Sequence, residues 1–165
     1  MPFDYEANVT AVRSTLRTYN TTTSSPDLSS GMTTRVRTIE IDDPDRIAIR
    51  INDLPAVYVR VQAAEEDAAG LGSTGPTGVR KQKNVTYELV GIYHRDGAHS
   101  LEAPHLVEVY RFAENLEGVF QAEFRISNTA LWCHPKITNF GAIELESGDR
   151  IKSFVTTIEA RYLFR

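Results

Sequence analysis

Apolar side chains recur at four- and three-residue intervals at Tyr5, Val9, Val12, Leu16 and Tyr19, which places them on one face of an α-helix, and Asp4 stands where an N-cap is needed. The predicted helix runs out into 20–30, a polar stretch with five successive Thr or Ser followed by Pro26. It has no period and reads as a surface loop. Arg35 to Ile41 reads as a strand and Asp42-Asp43-Pro44-Asp45 as a turn. Ile47, Ile49 and Ile51 then read as the buried side of a returning strand, so a hairpin is predicted.

A clean period of two follows at Val57, Val59 and Val61, and again at Val85, Tyr87, Leu89 and Tyr93, so these two strands are expected to be sheet neighbours. Between them, at about 62–82, lies a run dominated by Gly, Ala, Ser and Thr with almost nothing apolar to bury. Hairpin loops usually hold about 2 to 5 residues, so this one is expected to be either disordered or ordered by a partner. Arg95-Asp96-Gly97 turns the chain into a second helix that starts near Ser100, with Pro104 tolerated in its first turn. Leu106, Val109, Tyr110, Ala113, Leu116 and Phe120 form its core face, and Phe112 and Val119 widen the apolar surface, as though the helix touched the sheet and something else. Two closing strands, roughly 136–145 and 152–164, are joined through Glu146-Ser147-Gly148-Asp149. In the last one Phe154, Ile158, Ala160, Tyr162 and Phe164 share a face. The order predicts a single α+β domain over 1–165, a mainly antiparallel or mixed sheet with two principal helices packed on one face.

The 165 residues match one domain, and 41% hydrophobic with 24% charged content is ordinary for a globular chain. A formal net charge of −4 with scattered Lys and Arg argues against non-specific DNA binding, which needs clustered cations. Cys133 is the single cysteine, so no internal disulfide is possible. The start Met1-Pro2-Phe3-Asp4-Tyr5-Glu6 lacks the regions of a signal peptide, and no apolar run reaches the ~18 residues of a membrane span. A cytoplasmic product without membrane contact is expected.

Candidate chemistry is sparse. His94, His99, His105 and His134 match no metal-ligand spacing such as Cys-x-x-Cys or His-Glu-x-x-His, so no metal is expected. Cys133 beside His134 has no nucleophile signature and reads as a buried, inert thiol, and no Gly-x-Ser-x-Gly elbow is present. The glycines of 70–75 lack the Lys-Ser/Thr of a phosphate-binding loop, and Asp42, Asp43 and Asp45 around Pro44 are turn chemistry without the terminal Glu of an EF-hand. The Asn-x-Thr triplets at Asn8, Asn20 and Asn84 are background matches without a secretory context. No cofactor and no catalytic set is expected.

The leading helix, the strand Asp53-Leu54-Pro55-Ala56-Val57-Tyr58-Val59, the long loop, the strand Tyr87-Glu88-Leu89-Val90-Gly91-Ile92-Tyr93, the helix from Leu101 to Phe120 and the closing Ile158-Glu159-Ala160-Arg161-Tyr162 together resemble the tail terminator (tail completion) proteins of long-tailed bacteriophages. The likeness is one of element order and size over nearly the whole chain. The long 35–51 hairpin and the 128–135 insert depart from it and leave another neck or tail tube subunit open as an alternative. The resemblance implies a non-enzymatic virion protein of the tail, assembled in the host cytoplasm. It would form a homo-hexameric ring that ends growth of the tail tube protein, docks a head completion or connector protein, and lets DNA pass without specific binding. A ring uses two different patches per subunit. The candidates are the sheet edge near the closing strand and a subunit contact at Phe112 and Val119. Glu65, Glu66 and Asp67 are expected to border the channel, and Arg80, Lys81 and Lys83 to turn toward a neighbour. A small metal-dependent enzyme centred on the histidines is the rival from another class.

Overall fold

The computed structural model describes residues 3–67, 81–94, 103–148 and 150–164. Helix α1 spans Tyr5–Thr18, and the Asp4 carboxylate accepts the Ala7 N–H at 2.9 Å, as its N-cap position requires. Strand β1 is Thr38–Ile41, β2 Ala56–Asp67, β3 Lys81–Ile92, β4 Trp132–Glu144 and β5 Arg150–Phe164, with helix α2 at Ala103–Ala122 between β3 and β4. One five-stranded sheet has the order β1-β2-β3-β5-β4, with β1 parallel to β2 and the remaining neighbours antiparallel. This is the expected α+β domain.

The alternation along the strands divides the sheet into two faces. One carries Val57, Val59, Val85, Tyr87, Leu89, Phe154, Ile158 and Tyr162, and these bury against Val9, Val12 and Leu16 of α1 and the α2 stripe Val109, Phe112, Ala113, Leu116, Val119 and Phe120. The other carries Ala56, Tyr58, Val90, Ile92 and Ile151, covered by Ile49, Leu54 and Leu145. Both helices therefore lie on one face, and the segment between β1 and β2 covers part of the opposite one.

That covering segment corrects the expected hairpin. A parallel β1–β2 pair cannot be joined by a tight turn and needs a crossover of a dozen or more residues. The chain from 42 to 55 supplies it, with Ile51–Asp53 forming a short 3₁₀ turn rather than the end of a strand. The alternating Ile47 and Ile49 are apolar because they pack onto the sheet's second face, not because they pair with a neighbour. Arg60 fastens the crossover: its guanidinium reaches Asp43 at 2.6 Å, Asp45 at 3.1 Å and Glu88 at 2.6 Å. Partial burial alone would lower the Arg60 pKa, but these carboxylates outweigh it and hold the guanidinium firmly protonated.

The polar 20–36 loop is tied down at many points. Asn115 of α2 donates to the Leu28 and Ser30 carbonyls, Thr33 donates to Glu108 at 2.6 Å, and Asp27 takes a two-pronged ion pair from Arg35. Between α2 and β4, Ile126, Ser127 and Asn128 all have positive φ, an unfavourable run for residues with a Cβ. Burial of the Ile126 side chain and hydrogen bonds from Ser127 N to Glu123 and from Thr129 Oγ1 to the Ile126 carbonyl hold that turn.

Candidate interaction surface

Strand β4 forms one end of the sheet, and among the described residues no strand pairs with its outer side. A 13-residue edge with free backbone groups is a ready template for another strand unless charge, proline or a bulge blunts it. Here the bulge and Pro135 lie at its start, where Cys133 N donates to the Phe124 carbonyl. From Ile137 to Ile143 the edge carries no charged residue. It displays Ile137 on one face, 61% exposed, and Phe140 on the other, 51% exposed.

Helix α2 positions the Phe140 side of this edge. Its buried stripe docks Phe112 edge-on against Phe154, ring centroids 5.1 Å apart, and the next flank of the helix presents Tyr110 to Phe140 at 4.9 Å and 89°. Glu117 accepts a short hydrogen bond from Thr138. Tyr110 is 48% and Val107 53% exposed, so an apolar strip runs from the helix flank onto the strand edge. Beside it lies a hollow of about 110 Å³ lined by Leu106, Val109, Tyr110, Phe140 and Gly141 together with Lys152 and Ser153.

The opposite end of the sheet is guarded. Strand β1 has four residues, and Arg17 donates to the Ile39 carbonyl at 3.1 Å and to Glu40 at 2.8 Å, with Arg13 on the same carboxylate. Because β1 pairs with β2 only at Ala56–Val59, the far half of β2 is a second open edge among the described residues, with Val61 to Glu66 exposed.

Among the described residues, none covers the sheet face away from the helices at this far end. Among the described residues on this face, Arg60 is held by its three carboxylates, Lys136 by Glu159 at 2.7 Å, and Arg161 by Asn84 at 3.0 Å while stacked over Trp132. Trp132 in turn stacks on His134.

The residues singled out from sequence fall into three groups. Phe112 and Val119 are fully buried in the chain's own core, which corrects their assignment to a subunit contact. The stripe at 109, 112, 113, 116, 119 and 120 has helical spacing, and it is Tyr110 that rotates outward. Glu65, Glu66 and Asp67 belong to β2 and Lys81 and Lys83 to β3, so these ends of the long loop are paired strand rather than loop. The two ends also meet: Lys81 bonds Glu66 at 2.8 Å, which holds that carboxyl below its usual range, and Lys83 sits 4.9 to 5.7 Å from the Phe3, Tyr5 and Phe164 rings. Arg80, His99 and the remainder of the loop lie outside the described residues, as does the His105 side chain.

No protein-family model and no curated protein matches the chain.

Among the described residues no group of three or more His, Cys, Asp or Glu converges as metal ligands, and no helix is long and apolar enough to cross a membrane. Cys133 is buried, and burial followed by the nearby Glu123 charge pushes its thiol up to about 12, so the thiolate is scarce at neutral pH.

Proposed function

We propose that this chain is a structural subunit of a long-tailed phage tail. It forms a ring, in the resembled family a homo-hexamer, at the head-proximal end of the tube, where it ends tube growth and docks the head connector. The observation that carries the reading is the open β4 edge with its apolar strip of Val107, Tyr110 and Phe140. An exposed edge with an uncharged run from Ile137 to Ile143 on a lone chain invites aggregation, and a permanent partner removes that hazard. A channel role draws support from that sheet face away from the helices, where, among the described residues, Arg60 and Lys136 are paired with carboxylates and so offer little to passing phosphates. Native mass spectrometry and negative-stain imaging of the chain, alone and with tail tube subunits, test this. Discrete rings that sit on tube ends are expected. Rings that stack into tubes by themselves would mark a tube subunit instead, and a chain that stays monomeric under every condition would overturn the reading.

A further inference from the structure

The two sheet edges left open among the described residues, β4 and the far half of β2, differ in position along the sheet. We infer that the β4 edge of one copy pairs antiparallel with the far half of β2 of the next, with Phe140 opposite Ala64 and Gly141 opposite Ala63. The inference rests on the reading of this chain as a self-assembling subunit.

Direction, face and size all fit. Strand β4 runs antiparallel to β5, β5 to β3 and β3 to β2, so a neighbour added head to tail presents its β2 antiparallel to β4. Ala64 shares a face with Val85, and Phe140 with Phe154, both on the helix side; Ala63 and Gly141 both lie on the other side. The pairing therefore keeps helices with helices. The half-exposed Phe140 ring meets the small Ala64, and Glu65 faces the uncharged Asn139, so no like charges are opposed. Lys136, held by Glu159, stands just beyond the acidic end of β2.

The unstaggered alternative would have to displace an existing contact. Without a shift, Thr138–Gly141 would meet the neighbour's Thr38–Ile41, the edge on which Arg17 already occupies the Ile39 carbonyl. The staggered pairing avoids β1, because Ala64 lies level with Ala160 of β5 and Phe140 level with Phe154, six residues apart. Six residues at ~3.3 Å give a step of about 20 Å for each four strands, themselves about 19 Å wide at ~4.8 Å spacing. The strands would then tilt by about 45°, at the upper end of the roughly 35–45° that a closed sheet requires. Head-to-tail contacts of this kind generate a ring when the rotation between copies closes.

Cysteine pairing tests it, because directly opposed strand residues meet the distance limits of a disulfide. Ala63→Cys and Gly141→Cys are both at exposed positions, and a Cβ at Gly141 would stand 3.9 Å from Ser153 Oγ, an ordinary contact. Under mild oxidation neither single variant should cross-link, their equimolar mixture should give a covalent dimer, and the double variant should give a ladder that ends in a covalent ring. Hydrogen exchange on the unmodified chain should show 61–66 and 138–143 gaining protection together on assembly. Self-cross-linking of Gly141→Cys alone would overturn the inference in favour of two-fold β4–β4 pairing. Rings by imaging without cross-links or joint protection would overturn it while leaving the tail reading intact. A ladder from a chain that never caps tubes would support the pairing and count against the tail reading.

Discussion

Gly91 lies in β3 directly across from Phe154 of β5, and the ring of Phe154 lies over its Cα: an added Cβ would overlap three of the ring's carbons. The ring has little room to retreat, because it is fully buried, docked edge-on by Phe112 and bordered by Phe140 at 6.2 Å. Gly91→Ala should therefore behave as overpacking, which costs about 1–3 kcal/mol. The reduced backbone freedom of Ala in the unfolded chain returns about 0.5–1 kcal/mol, leaving a net loss of up to about 2.5 kcal/mol. For a domain of this size that lowers Tm by roughly 2–4 °C per kcal/mol. Urea denaturation followed by circular dichroism reads it as a lower midpoint with an unchanged slope. Combining Gly91→Ala with Phe154→Leu should recover part of the loss, so that the double variant is more stable than the sum of the singles predicts. A stabilising Gly91→Ala, or strict additivity with Phe154→Leu, would refute the packing that positions Phe140 and the β4 edge.

Three further outcomes follow from buried chemistry. Tyr87 and Tyr162 share a buried hydroxyl pair at 2.8 Å, so Tyr162→Phe should cost about 1–3 kcal/mol by stranding the Tyr87 hydroxyl, while the double Phe variant should lose less than the two singles together, checked by a double-mutant cycle. Asp27 titrates below its ordinary value despite the opposing effect of burial, because Arg35 and the Ser29 N–H bond its carboxylate; the stability it confers is full above the unfolded pKa of about 4 and is lost as pH falls below that. Asp27→Asn should accordingly lower Tm at pH 7 by more than at pH 3, and an equal loss at both would exclude the ion pair as the cause. Cys133 should react with a thiol reagent at pH 8 only on unfolding, and prompt labelling of the native chain would contradict its burial.

The parts of the fold that sequence periodicity reveals are those in which one face of a regular element does the burying. α1 is legible because Val9, Val12 and Leu16 recur at helical spacing behind an Asp cap, and β2, β3 and β5 because their alternation runs over many residues. The start of β4 was not legible: a bulge between Pro135 and Ile137 breaks the period of two, so 132–135 reads as an insert although Trp132 already pairs with Arg161. The 47–51 alternation misleads for the opposite reason, since an irregular segment lying on a sheet also turns every second side chain inward. The α2 flank shows a third limit. A wide apolar face does not say which edge is outermost, and the packing on Phe154 and β4 decides that Phe112 is inside and Tyr110 outside. The interaction edge itself depends on strand order, which periodicity does not carry, although the uncharged run from Ile137 to Ile143 was visible as a signal.

The most direct test of a ring-forming tail subunit is the length distribution of tail tubes assembled in its presence, imaged by negative stain beside a Tyr110→Ser/Phe140→Ser variant that removes the apolar strip. Tubes bearing one ring at a single end and growing no further are predicted for the unmodified chain, with uncapped, overlong tubes for the variant. Tubes of identical length and bare ends in both samples would contradict the account.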